Sequence, residues 1–354
     1  MGKKIKCVLV VPDFYGTENS IITSLEDNGF EVIPVIRVIG LKNPFLMLKG
    51  ALGFDMQQDN DKYYSKMSSE IEEICFKEKP DVLLVVQGLQ VLPDTLDRLR
   101  QHCVTVLSLS DRLSLFPQLY GRVSHYDIVF TYSKEEIENL RALGVSAYYS
   151  YMGYDDSVYH PVSTVKDIDI CFVGTMYPER REILEKVALD FSQYNIAFYG
   201  RYATPFEPDE YLRWIRKSEF HRAFKNKKLK RDDVNKLYNR SKICLNINRK
   251  NMTNEWTPRI IEIMGTNSFQ LVERNALIEK DFNDCVCMYD NYDNLKEYIK
   301  YYLDNDAERC AIAEKGYETA SGNYTLKIRK KIKNDICKGI IYALQKEQPR
   351  SFDI

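Results

Sequence analysis

The sequence predicts an α/β protein built from two Rossmann-like, doubly wound domains. Three observations carry that expectation. Short runs of Val, Ile and Leu recur along the chain, continuous rather than alternating, as in strands of a parallel sheet buried on both faces. Segments of helical length separate these runs, the order expected of βαβ units. The alternation then breaks near residue 163 and restarts, and 354 residues suffice for two domains with cores of their own.

In the first half, strands are expected at Ile5–Val11, Phe30–Val38, Val82–Val86, Val104–Leu109, Ile128–Tyr132 and Ala147–Tyr151. Helices are expected near Ser20–Asn28, Lys62–Lys77, Pro93–Gln101 and Lys134–Leu143. The opening Met1–Lys6 with Cys7–Val11 has the charge and apolarity of a short secretion signal, but the apolar run is too short and Pro12-Asp13 ends it. It reads as the first strand of a cytoplasmic protein. No apolar run approaches the roughly 20 residues needed to span a bilayer. Gly153-Tyr-Asp155 and Tyr159-His-Pro161 follow the last strand, and residues 163–166 read as a linker, so the first domain is expected over 1–162.

The second half begins with a strand at Ile168–Val173, a Gly174-Thr175 turn and a helix from Pro178 to about Leu189. Ile196–Tyr199 is the next strand. Ile243–Ile247 is an apolar run of strand length. Thr257 suits a helix cap, Pro258 its first turn and Gly265 its end. Strands at Phe269 and Val286 and helices near Asn294–Leu303 and Ala307–Thr319 complete a domain over 163–325. A last helix, roughly Leu326–Leu344, lies in a tail over 326–354.

The short helix after Thr257 holds the most informative side chains. Ile260, Ile261, Ile263 and Met264 make it mostly apolar, while Arg259 and Glu262 lie one turn apart on one face. Charges on a largely buried helix need partners. A carboxylate there suits the two hydroxyls of a ribose, and a guanidinium beside it suits a phosphate. The plainer alternative is that the two pair with each other. The Gly174-Thr175 turn lies at a strand's carboxyl end before a helix, where backbone N–H groups and the helix dipole favour phosphate. Asn246 and Asn248 alternate onto one side of their strand, at the end where such sheets bind ligands; a turn is the other use of Asn248.

These segments resemble the glycosyltransferases of GT-B fold, and within them the group named after the spore maturation protein CgeB. The likeness rests on Ser241-Lys-Ile-Cys-Leu-Asn246, on the Arg259-x-x-Glu262 helix with a small residue and a strand after it, and on Cys171-Phe-Val-Gly-Thr-Met-Tyr-Pro-Glu-Arg-Arg181. The Gly153–Pro161 passage is similar to the one that ends the N-terminal domain in many such enzymes. It covers nearly the whole second half; in the first half it rests on architecture and on that passage. The resemblance implies two domains facing across a cleft, with a C-terminal helix crossing back to the N-terminal domain. It implies a metal-independent glycosyltransferase that moves a sugar from a nucleotide-sugar donor to a glycan, lipid-linked or protein acceptor, with retention favoured on family grounds. The nucleotide sugar is a co-substrate, and no cofactor is expected.

On that reading the second domain binds the donor. Glu262 takes the ribose; Gly174, Thr175, Arg180 and Arg259 lie near the diphosphate; Asn246 and Asn248 meet the sugar or base; Gly265 closes the helix of the site. Arg181 is the alternative to Arg180, one of the two being a solvated first-turn residue. In the first domain Asp111, just after a buried strand, would orient the acceptor or act as general base, with helix capping as the alternative. Gly16 would let an acceptor approach the backbone. His125 reads equally as a surface histidine. The pattern departs from the family at one point. Many retaining members carry two glutamates with seven residues between them, whereas six stand between Glu255 and Glu262. Rival readings are a non-catalytic nucleotide-sugar-binding scaffold and a nucleotide-sugar epimerase of the same fold.

A net charge of −1 provides no global field to recruit nucleic acid. One segment stands apart: Arg213–Lys242 holds twelve basic residues against three acids, a local charge of +9, with Trp214, Phe220 and Phe224 among them. It reads as a solvated face, as attraction for the diphosphate, or as peripheral contact with anionic lipid at the inner face of a membrane. Asp167-Ile-Asp169 and Asp304-Asn-Asp306 open a strand and end a helix, so no metal site is expected. Nine cysteines without a CxxC pair read as reduced core residues.

Overall fold

A computed structural model describes residues 4–12, 17–37, 57–109, 112–113, 116–150, 153–201, 212, 216, 218–248 and 256–328. The chain divides into two compact units, the second being Gly153–Thr325.

Among the described residues the first unit holds one parallel sheet of β1 (Ile5–Pro12), β2 (Phe30–Arg37), β3 (Val82–Val86), β4 (Val104–Ser108), β5 (Ile128–Thr131) and β6 (Ala147–Tyr149). The spatial order is β2-β1-β3-β4-β5-β6. Helices α1 (Thr17–Asp27), α2 (Gln57–Glu78), α3 (Pro93–Leu99) and α4 (Lys134–Ala142) connect them. Strand alternation feeds two cores: Val8, Val10, Leu83 and Val85 on one face, Cys7, Leu9, Val11, Val82 and Leu84 on the other. That double burial explains the continuous apolar runs. The order reverses between β1 and β3, the switch point of this sheet.

The second unit repeats the plan with β7 (Ile168–Val173), β8 (Ile196–Tyr199), β9 (Phe224–Lys225), β10 (Ser241–Asn246), β11 (Gln270–Glu273) and β12 (Cys287–Tyr289), again parallel. Its order is β12-β11-β10-β7-β8-β9, the dinucleotide-fold order, with the switch point between β7 and β10. Its helices are α5 (Pro178–Asp190), α6 (Ser218–Ala223), α7 (Arg231–Arg240), α8 (Pro258–Gly265), α9 (Ala276–Phe282), α10 (Tyr292–Asp304) and α11 (Asp306–Asn323). At the switch point Ile170 faces Ile243 and Phe172 faces Leu245. Cys171 and Cys244 are opposed free thiols with sulfurs 3.5 Å apart.

Several elements differ from expectation. The Gly153–Pro161 passage, expected to close the first domain at residue 162, packs within the second unit. The Tyr154 N–H donates to the Tyr324 carbonyl at 2.9 Å, and Tyr154 bridges Thr325. His160 N–H donates to Asn235 Oδ1 at 3.2 Å and Val162 N–H to Asn239 Oδ1 at 2.7 Å, tying the passage to α7. Helix α8 ends at Gly265 as expected, but the left-handed conformation after it belongs to Asn267, with φ 53°. Gly265 instead makes room, because a Cβ there would lie 2.3 Å from Tyr154 Cε2. The short edge strand β9 and helix α9 were not expected. Beyond Ile328 the expected crossover helix lies outside the described residues.

The DxD residues serve as boundary residues. Asp167 pairs with Arg240 at 2.5 Å, Asp169 with Lys242 at 2.7 Å, and Asp306 with Arg309. Among the described residues no helix is long and apolar enough to cross a membrane.

Candidate functional site

The sequence-predicted donor residues gather at the carboxyl ends of β7 and β10. β7 runs into Gly174, whose N–H donates to the Tyr199 carbonyl at 2.9 Å. That N–H is spent within the sheet, so it does not serve an anion as the turn suggested. The contribution of Gly174 is space. A Cβ at this position would lie 2.7 Å from Arg259 Nη1 and 2.9 Å from the Phe172 ring. Gly200 backs it so closely that its own Cβ would come within 1.9 Å of the Gly174 carbonyl oxygen. Thr175 is exposed at the tip of the turn.

Arg180, in the first turn of α5, is buried and works as a tie. Its Nε donates to the Ile247 carbonyl at 2.8 Å and its Nη1 to the Thr175 carbonyl at 3.0 Å. The guanidinium sits 5.8 Å from the Phe172 ring centre and 5.2 Å from that of Tyr177. It joins the loops that leave β7 and β10, on either side of the switch point. Burial, then the positive charge of Arg259, pulls its pKa down to about 10, so it stays protonated at neutral pH. Arg181 is buried in the same helix.

Helix α8 supplies the charged pair. Thr257 occupies the extended N-cap position without a side-chain cap bond, and Pro258 opens the helix. Ile260, Ile261, Ile263 and Met264 are buried, and Arg259 and Glu262 are half-buried on the remaining face. The two do not pair: among the described residues neither makes a hydrogen bond or ion pair, and Arg259 Nε is buried without a partner. Burial pushes the Glu262 carboxyl above the usual range, while Arg259 and then Arg231 pull it back.

Asn246 and Asn248 are both buried. Asn246 donates its amide to Gln270 Oε1 at 3.1 Å, and Gln270 Nε2 donates to the Ile260 carbonyl at 2.9 Å. This amide chain fixes α8 against β10 and β11, so the Asn246 amide hydrogen bond is made within the protein. Gly265 lies under the Tyr154 ring at the far end of α8.

Residues that the sequence reading passed over complete the surroundings. Arg231, at the start of α7, pairs with Asp155 at 3.3 Å and lies 5.6 Å from the Tyr159 ring centre. Burial and then the charge of Glu262 hold the Tyr159 hydroxyl protonated. The Tyr238 hydroxyl is buried without a partner among the described residues. Burial raises its pKa well above the ordinary value against the pull of Arg259. Arg231 was hidden among the other cations of its segment; the polar Gln270 inside an apolar strand was the signal available for the amide chain.

The first-domain candidates Asp111 and Gly16, and Glu255 in the second, lie outside the described residues. His125 Nδ1 is 2.8 Å from Asp97 Oδ1, a partly exposed structural contact.

The second unit thus offers a carboxylate without a partner among the described residues and two guanidiniums at the switch point. A carboxylate accepts two hydroxyls; guanidiniums stabilise the charge of a diphosphate. Residues 180–331 match the family model for glycosyl transferase-like proteins. No curated protein sequence matches. In structure, the chain is similar to a sucrose-phosphate synthase from Thermosynechococcus elongatus, at 11% identity and TM-score 0.70, covering 96% of this chain and 100% of that one. It is also similar to Anabaena HepE in complex with UDP and glucose, at 13% identity and TM-score 0.64, covering 94% and 99%. A protein assigned as a UDP-N-acetylglucosamine 2-epimerase from Listeria monocytogenes matches at 16% identity and TM-score 0.61, covering 99% and 100%. At these identities the likeness is one of fold, and the fold is GT-B: two parallel sheets of six strands with interleaved helices.

Proposed function

We propose that this protein is a glycosyltransferase that takes a sugar from a nucleotide-sugar donor bound to its second domain. The observation that carries the reading is that Glu262 and Arg259, side by side on α8 at the switch point, have no hydrogen-bond or ion-pair partner among the described residues. Leaving a buried charge without a partner costs stability, and a bound ligand offsets that cost. Glu262 accepts both hydroxyls of the ribose. Arg259, aided by the charge of Arg180, stabilises the diphosphate as it leaves. Arg259 and then Arg231, itself paired with Asp155, favour the ionised form of Glu262 against the effect of burial.

The match to a glycosyl transferase-like family model over residues 180–331 supports the reaction class. HepE, a neighbour in fold, has been observed with UDP and with UDP-glucose, and uridine nucleotides are therefore the first donors to test. The first domain takes the acceptor, a glycan, a lipid-linked glycan or a protein. Asp111 is the proposed base if the configuration at the sugar inverts; if it is retained, positioning and leaving-group stabilisation carry the reaction without a protein nucleophile.

The test is a sugar-transfer assay with labelled UDP-, GDP-, ADP- and CDP-sugars and a panel of glycan and lipid-linked acceptors. Transfer that is lost in Arg259→Ala supports the reading. Nucleotide release and a changed sugar with no acceptor present would instead identify an epimerase. Binding of a nucleotide sugar without any turnover would identify a scaffold.

A further inference from the structure

Apart from Arg231, the cations of the basic segment singled out in the sequence that line a groove lie away from the donor residues. The segment's described part forms α6, β9 and α7, which wall a groove of about 640 Å3 on the β8–β9 side of the second unit. The volume lies within the range of about 300–1,000 Å3 typical of small-molecule sites. The floor is Ile168, Ala197, Tyr199 and Leu237, and the rim carries Arg222, Lys225, Lys227, Lys236 and Arg240 against Glu219 and Asp233. None of the donor residues lines it.

Local structure explains why the cations converge. Asp233, Lys236 and Arg240 fall at i, i+3 and i+7 on α7, one stripe of the helix. The buried Asn235 and Tyr238 belong to the rest of that helix, which faces the His160 passage and the donor residues. Lys225 ends β9, and Lys227 follows it. Three of the cations are committed: Arg222 donates to the Ser192 carbonyl at 2.6 Å, Lys225 to the Arg222 carbonyl at 3.0 Å, and Arg240 pairs with Asp167. Lys227 and Lys236 have no side-chain partner among the described residues. A concave surface with an apolar and aromatic floor, two unpaired ammonium groups and three further cations is suited to an anion that carries an apolar or ring portion.

We propose that this groove is a second ligand site, specific for a phosphate-bearing group, separated from the donor site by α7. The phosphate chemistry is shared by soluble phosphate esters and by lipid headgroups, and the ligand's remaining portion lies along Tyr199 and Leu237. The inference stands apart from the proposed transfer reaction, since no donor residue takes part in it.

The experiment is calorimetric titration of the full-length protein with inorganic pyrophosphate, beside co-sedimentation with phosphatidylcholine vesicles with and without 20% phosphatidic acid (about one lipid in five, enough to present an anionic surface). Four proteins are compared: wild type, Arg259→Ala, and Arg259→Ala combined with either Lys227→Glu/Lys236→Glu or Ala197→Phe, so that the donor site's diphosphate contact is absent from the comparison. Ala197→Phe fills the groove without altering charge. Saturable binding of either probe is expected to persist in Arg259→Ala and to weaken at least about tenfold further when either groove change is added, for loss of charge-assisted contacts or of space. Pyrophosphate binding assigns a soluble ligand; vesicle binding alone assigns a lipid headgroup. The proposal is overturned if neither probe binds, if binding survives the addition of Ala197→Phe, or if Arg259→Ala abolishes it. Lys227 and Lys236 are exposed, so the charge-reversal variant keeps its fold; an unchanged melting temperature verifies that.

Discussion

Glu262 gives the sharpest test, because its two functional alternatives predict opposite signs. In Glu262→Ala a ribose loses two hydrogen bonds to a carboxylate, at about 1.5 kcal/mol each. The sum, about 3 kcal/mol, raises Kd by a factor of roughly 150. A nucleotide supplied at about one hundred times the wild-type Kd stabilises the wild type by about 2.7 kcal/mol. For a domain of this size that amounts to about 5–10 °C in melting temperature, against about 1 °C in the variant. The assay is thermal unfolding with UDP, GDP, ADP and CDP, followed by calorimetry with the nucleotide that stabilises. The apo protein supplies the second arm. The Glu262 carboxyl titrates above its ordinary range because burial outweighs Arg259 and Arg231. Between the ordinary and the raised value the folded state binds more protons than the unfolded state, so this group's stabilising contribution is present at low pH and is lost as pH rises through the folded value. Glu262→Gln removes that loss, and apo Glu262→Gln is expected to be at least as stable as wild type at pH 8. Were Glu262 instead a structural partner of Arg259, breaking the buried pair would cost about 3–5 kcal/mol. A clear destabilisation of apo Glu262→Gln, or equal nucleotide stabilisation of wild type and Glu262→Ala, refutes the assignment.

Gly174→Ala is expected to displace the Arg259 guanidinium, 2.7 Å from the new Cβ; nucleotide affinity falls about tenfold while the chain still folds, at an overpacking cost of about 1–3 kcal/mol, read by calorimetry and urea unfolding. Gly265→Ala drives a methyl into the Tyr154 ring at 2.3 Å. The strain outweighs the gain of about 1 kcal/mol in helix propensity, and the net loss is about 1–2 kcal/mol, with Gly265→Ala/Tyr154→Ala recovering part of it in a double-mutant cycle. Asp111→Asn lowers transfer by about 100-fold or more if it is the base, with donor affinity unchanged; a variant that loses affinity as well points to a structural role.

The parallel sheets were legible because each buries both faces, which leaves unbroken apolar runs such as Val82–Val86 and Ile168–Val173, whose bounds coincide with β3 and β7. Elements lacking that signature were missed. β9 is two residues at a sheet edge inside a run of lysines, and α9 is a short helix whose one clear sign is Asn275, accepting from the Ile278 N–H at 2.8 Å. At the site, Arg259 and Glu262 stood out as charges on an apolar helix, and among the described residues both are unpaired. Arg180 was equally visible, but its use as a tie between two loops depends on contacts distant in sequence. Asp155 and Arg231 lie far apart along the chain and form their pair only after folding, and nothing local marks it. Gly265 was assigned to a helix stop because glycine is common there; the need for it comes from Tyr154, more than a hundred residues earlier.

The backbone bond between Tyr154 and Tyr324 brings the first and last residues of the second unit side by side. A unit whose ends meet is a closed insert in topological terms. It can be lifted out as a stretch of chain from Gly153 to Thr325, or have its ends joined and reopened elsewhere, without cutting its sheet. Because Tyr154 also seats the end of α8 through Gly265, the seam is in contact with the helix that carries Arg259 and Glu262. The point where the chain enters and leaves this unit is therefore coupled to the seating of α8.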